Sequence, residues 1–212
     1  MKRRLALYSD QSVPASARID ERLMSLIGRP RPSIGHIAAG RDPRGYWFQR
    51  NAAYYAALGA RLTEGVVMAS PPDAADWQRL AGCDAIHLSG GNTFFFLRAL
   101  NARGWLPKLR EYVANGGVLI GVSAGAIMMT PEISSARLCG DRKVRDLDDL
   151  SALALVDFSF APHFRLGRGW MRKLGDHARR TGRVVLGCSD GDGIIVDGDV
   201  IEPFGDLAKV EP

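Results

Sequence analysis

The chain has little cysteine. Cys83, Cys139 and Cys188 are the three in 212 residues, scattered and without a C-x-x-C pair, which argues against a disulfide framework and against a zinc site. No apolar run approaches the roughly 20 residues of a membrane span. The basic start Met1-Lys2-Arg3-Arg4 passes straight into Leu5-Ala6-Leu7-Tyr8, a segment too short for the apolar core of a signal peptide. The cytoplasm is therefore the expected compartment. G-x-G-x-x-G and Walker patterns are missing. So are a lysine-rich tail and an aromatic-interleaved basic strip, so the net charge of +5 does not point to nucleic acid. No cofactor, no metal, no nucleic acid and no membrane surface is expected.

What is there fits one α/β domain over residues 1–212, long enough to bury a proper core. Hydrophobic residues make up 46% and charged residues 24%, an ordinary balance for a globular chain. Much of the basic excess lies between Arg165 and Arg183. It reads as the solvated face of a helix, with a rim attracting anionic substrates as the sharper alternative.

Strand-like and helix-like stretches alternate. Strands are expected at Leu5–Tyr8, Ser33–Ala38, Val66–Met68 and Ala85–Leu88, with helices at Ser16–Leu26, Tyr46–Leu58, Ala74–Leu80, Phe94–Ala102 and Leu106–Ala114. That alternation means βαβ units and a parallel sheet, whose functional groups gather at the carboxyl ends of the strands. Thr130 to Leu150 is polar and irregular, a loop or a hairpin around Cys139-Gly140-Asp141. A strand over Leu153–Phe160 follows, then a basic helix over Trp170–Arg180 that carries an exposed His177, and a strand at Val184–Gly187. A last strand at Ile194–Val196 turns through Asp197-Gly198-Asp199 into Val200-Ile201-Glu202, a C-terminal hairpin.

The chain is organised around Gly117 to Met129. A buried β-branched run leads into Gly121-Val122-Ser123-Ala124-Gly125, and an apolar helix-compatible segment follows. This is G-x-S-x-G between a strand and a helix, the sharp turn that lifts a serine hydroxyl clear of a sheet. Its glycines are needed because a Cβ there would strike the neighbouring strand or helix. A serine needs a base. His36 and His87 lie within strands, whereas His163 follows Pro162 where the chain leaves the sheet, on the same edge as Ser123. The base needs an acid, and Glu132, Asp141, Asp146, Asp148 and Asp149 all lie between Ser123 and His163. Local reasoning leaves that choice open. The N–H of Ala124 with one from the Gly90-Gly91 loop would make an oxyanion hole.

Gly90-Gly91-Asn92-Thr93-Phe94, then Gly121 to Ala126, then Pro162-His163-Phe164 together resemble the peptidase E family of serine peptidases, which includes aspartyl dipeptidases and the related cyanophycinases. The resemblance runs from about Leu5 to Val200. It implies a flavodoxin-like three-layer sandwich with a mostly parallel central sheet, as in class I glutamine amidotransferases, with serine replacing cysteine at the elbow. It implies Ser123 as nucleophile, His163 as base, and Gly91 and Ala124 as oxyanion donors. Asp141 is its best match for the acid; Glu132 is the second choice, and Asp190 in the Cys188-Ser189-Asp190-Gly191 turn is the next to test if neither serves. Gly90, Asn92 and Thr93 are the expected substrate contacts.

The segment after Pro-His-Phe is shorter here than in aspartyl dipeptidases, so strict specificity for an N-terminal aspartate is not expected. Arg165 and Arg168 are expected to bind a substrate carboxylate instead. The expected reaction is hydrolysis of short peptides through an acyl-enzyme. The alternatives are a cyanophycinase-like hydrolase of a β-linked peptide or other amide, and a silent binding module on the same fold. A homodimer or higher homo-oligomer is left open.

Overall fold

The computed structural model describes residues 3–212; Met1 and Lys2, the start of the basic lead, lie outside the described residues. The parallel part of the main sheet consists of β1 (Arg4–Tyr8), β2 (Ser33–Ala38), β3 (Arg61–Val67), β4 (Ala85–Leu88) and β5 (Val118–Val122). Two antiparallel strands, β8 (Gly193–Asp197) and β9 (Val200–Phe204), extend it beside β1. The order across the sheet is β3-β2-β4-β5-β1-β8-β9, a mostly parallel sheet ending in the expected hairpin.

Alternation along each strand divides the core between two faces. Leu5, Leu7, Leu88 and Leu119 face α4 (Thr93–Ala102) and α5 (Trp105–Ala114), whose Phe94, Leu97, Leu109 and Val113 pack against them. Ala6, Tyr8, Ile34 and Ile120 face the other way. They meet Ile19 and Leu23 of α1 (Ala17–Ile27) and Tyr55 of α2 (Tyr46–Ala57). A short α3 (Asp76–Ala81) brings Leu80 over β2, where it contacts Gly35.

A second, three-stranded sheet has the order β10-β7-β6, from β6 (Ser159–Ala161), β7 (Val185–Gly187) and β10 (Ala208–Val210). It packs against α7 (Arg168–Thr181) through Leu174, Ala178 and Val185. β10 was not foreseen. The expected strand Leu153–Phe160 shrinks to β6. Its first part instead gives its amides to the chain after the elbow: Leu153 N–H to Met128 O and Leu155 N–H to Met129 O. An apolar run therefore stays buried without joining a ladder. The polar segment holds a 3-10 turn, Ser134–Cys139, and not a hairpin. β3 begins at Arg61, earlier than expected, because a sheet-edge strand tolerates the alternating polar residues before Val66. Among the described residues, no helix is long and apolar enough to cross a membrane.

Candidate active site

Ser123 sits between β5 and α6 (Ala124–Ile127). Its backbone takes φ 51° and ψ −108°, a conformation that costs a non-glycine residue on the order of 1–3 kcal/mol and is sustained only by its surroundings. The Ser123 amide donates to Tyr8 O at 2.9 Å, which ties the turn to β1. Gly125 comes so close to the end of β4 that a Cβ would collide with the Leu88 carbonyl, and a Cβ on Gly121 would strike the backbone of Gly125. Both glycines are thus required by close packing of the turn.

The Ser123 hydroxyl lies 2.8 Å from His163 Nε2. His163, two residues beyond β6, also has a positive φ of 58°. Its Nδ1 lies 2.6 Å from Asp190 Oδ1, on the turn that follows β7. An ionised carboxylate only accepts, so the ring proton belongs on Nδ1 and Nε2 is free to accept the serine proton. The His163 amide donates to Ser9 Oγ at 2.8 Å, and Ser9 Oγ donates to Asp190 Oδ1 at 3.0 Å. The histidine and the carboxylate are both about half exposed.

The two acids favoured from the sequence are engaged elsewhere. Asp141 Oδ2 accepts from the Thr93 amide at 2.8 Å and from Thr93 Oγ1 at 2.6 Å, so it satisfies the N-terminus of α4. Glu132 accepts from the amide and hydroxyl of Ser134, a local turn contact. The carboxylate that meets His163 is Asp190, 27 residues further along the chain. Its sequence signal was a polar turn at the carboxyl end of a strand.

A cavity of about 810 Å³ opens over Ser123. Gly90 and Gly91 form part of its wall, along with Asp10, Arg41, Trp47 and Arg50. Asn92 and Thr93 do not line it. Asn92 Oδ1 accepts from the Phe95 amide at 2.8 Å, the side-chain cap of a helix start, and Thr93 is fully buried. Arg165 and Arg168 are exposed and lie outside the cavity wall. The cationic groups at the cavity are Arg41 and Arg50, the latter over the Trp47 ring at 5.5 Å from the centroid. They were missed because neither belongs to a motif, and α2 read only as an aromatic helix. Gly91 has φ 142°, accessible to glycine alone at little cost, and Ala124 opens α6, where helix amides lack partners within the helix.

The remaining histidines are buried. His36 accepts from Asn51 Nδ2 at 3.0 Å, and burial pushes its pKa down to about 4. His87 Nδ1 meets the Tyr55 hydroxyl at 2.7 Å, and burial holds the ring well below the ordinary imidazole range. His177, expected on an exposed face, is only 2% exposed. Its ring turns inward to Ser159 Oγ and is held by Arg180, with its pKa lowered first by burial and then by Arg180. Among the described residues, no cluster of three or more His, Cys, Asp or Glu side chains is placed to hold a metal ion.

Comparison with known proteins bears on this arrangement. The model of "Peptidase family S51" matches residues 7–203. Peptidase E of Citrobacter koseri is 30% identical over 164 residues, which cover 76% of this chain and 68% of that protein. The uncharacterized peptidase Lmo0363 of Listeria monocytogenes is 40% identical over 82 residues, 38% of this chain. That alignment spans 40% of the relative's own length. A Listeria monocytogenes EGD-e crystal structure, of a protein proposed to be a peptidase E, superposes with a TM-score of 0.77 at 22% identity, covering all of both chains. At that identity the likeness speaks for the fold.

Proposed function

Since the chain belongs to peptidase family S51, a family of serine peptidases, we propose that it hydrolyses short peptides by acyl-enzyme chemistry through Ser123, His163 and Asp190. The observation that carries this reading is the unbroken chain of contacts from Ser123 Oγ to His163 Nε2 at 2.8 Å and from His163 Nδ1 to Asp190 Oδ1 at 2.6 Å. It starts from a serine held at a strained turn.

In this reading Ser123 gives its proton to His163 Nε2 as its oxygen attacks the scissile carbonyl. The amides of Gly91 and Ala124 receive the charge that develops on the carbonyl oxygen. Asp190 holds the ring in the correct tautomer and balances the imidazolium. His163 then protonates the leaving amine, and water repeats the sequence to release the acyl group. Arg41 and Arg50 take the place first given to Arg165 and Arg168. They stand where a substrate carboxylate, from an acidic side chain or a free C-terminus, would be paired. That favours a peptide over an uncharged amide as substrate. Three free cysteines suit a reducing compartment and support the cytoplasm as the place of action.

A fluorophosphonate probe tests the reading, since it labels only an activated serine. Wild type is expected to be labelled at Ser123, and Ser123→Ala to be unlabelled and inactive on a short-peptide library read by mass spectrometry. A labelled Ser123→Ala variant would refute the assignment.

A further inference from the structure

Ser9 is the first residue after β1, fully buried, and belongs to no motif. Its hydroxyl accepts the His163 amide at 2.8 Å and donates to Asp190 Oδ1 at 3.0 Å. Its own amide donates to Asp192 O at 3.1 Å, which binds β1 to the Asp190 turn. One hydroxyl has one proton to give. With a lone pair occupied by the His163 amide, that proton goes to Asp190.

We propose that Ser9 is a positioning residue for the reaction, holding the base and its acid in register from the end of a strand that carries neither. The inference rests on the serine peptidase reading above. His163 sits on a loop at positive φ, a conformation that persists only when neighbouring contacts over-determine it. The Ser9 hydroxyl is one such contact, made to the backbone. Asp190 is half exposed, and nothing about a surface carboxylate by itself fixes which rotamer it takes. Because Ser9 and the His163 ring both donate to Oδ1, the serine keeps that oxygen facing Nδ1. The hydroxyl therefore restrains the backbone of the base and the side chain of the acid together, and the main sheet to which β1 belongs supplies the rigidity.

The test is the rate of fluorophosphonate labelling of Ser123, with maximal rate and half-saturating probe concentration measured separately. Ser9→Ala is expected to lower the maximal rate about tenfold to a hundredfold, the value of one hydrogen bond to a charged group, with half-saturation little changed. Ser9→Thr, which keeps the hydroxyl, is expected to recover most of the rate. In an Asp190→Ala background the Ser9→Ala loss should shrink severalfold, because half of what Ser9 positions is already gone. A merely structural serine would give the same loss in both backgrounds, and that result overturns the proposal. So does a Ser9→Ala rate equal to wild type. If Ser9→Ala does not melt cooperatively, Ser9→Cys, close in size and a weaker hydrogen-bonding group, replaces it in the same cycle. Failure to label wild type overturns the serine peptidase reading and this inference with it. Normal labelling of both wild type and Ser9→Ala overturns only the role of Ser9.

Discussion

Exchanging two aspartates separates the acid that works on His163 from the one that works on the fold. Asp190 Oδ1 accepts the hydrogen bond of His163 Nδ1–H at 2.6 Å. In Asp190→Asn the charge that balances the imidazolium is gone. A hydrogen bond to a charged group contributes roughly 1.5–3 kcal/mol. The low end applies here because the pair is half exposed and solvent screens it. At 1.36 kcal/mol per decade, that is a loss of about tenfold or somewhat more. If the amide instead turns its NH₂ toward Nδ1, the ring takes the other tautomer and the loss grows toward ten-thousandfold. The Ser9 proton opposes that flip, since it also needs an acceptor at Oδ1. Asp141→Ala makes the contrast. It leaves the Thr93 amide and hydroxyl without their acceptor, a destabilisation of about 1–3 kcal/mol, yet does not touch His163. The assay is labelling rate and melting temperature on the same preparations. Asp190→Asn should label slowly with a melt near wild type, and Asp141→Ala should melt early with a smaller effect on labelling. Asp190→Asn labelling within threefold of wild type, or the reverse ranking, would refute the assignment of the acid.

Gly125→Ala should be strongly destabilised or insoluble, because its Cβ collides with the Leu88 carbonyl of a central strand, and such overpacking costs on the order of 1–3 kcal/mol or more; a wild-type melting temperature would contradict the packing argument. Arg50→Ala should raise KM for carboxylate-bearing short peptides about tenfold with kcat little changed, and equal KM values for charged and amidated peptides in wild type would remove that role. Stability should fall in acid. His36 titrates at about 4 when folded against an ordinary 6.5, so the unfolded chain binds the extra proton and up to about 3 kcal/mol is lost between pH 6.5 and 4. His87 and His177 push the same way, whereas the raised pKa of Asp20 opposes them near the bottom of that range. Denaturant midpoints independent of pH from 7 to 4.5 would show that these rings are not buried as described.

The parallel sheet was legible because β1, β2, β4 and β5 are short, mostly apolar and almost wholly buried segments, with helical stretches between them. The closeness of Ser123 to a histidine was legible for a local reason: the elbow declares its own geometry, and Pro162 marks where the chain carrying His163 leaves its strand. The carboxylate beside His163 was not legible, because its position depends on a pairing that no periodicity reports. β6 and β7 run parallel, with Ala161 opposite Gly187. His163 stands two residues past the first and Asp190 three past the second, so the ladder delivers both to one edge. Each strand has only three residues, too short to show a period, and a longer strand was expected in place of β6. The acid-rich stretch between Ser123 and His163 drew attention instead. Asp141 instead bonds Thr93. By holding Thr93 it anchors the start of α4 directly after Gly90 and Gly91, and so fixes the loop proposed to face the oxyanion. The two aspartates thus make separate contacts, Asp190 with the His163 ring and Asp141 with the start of α4 behind the glycine loop.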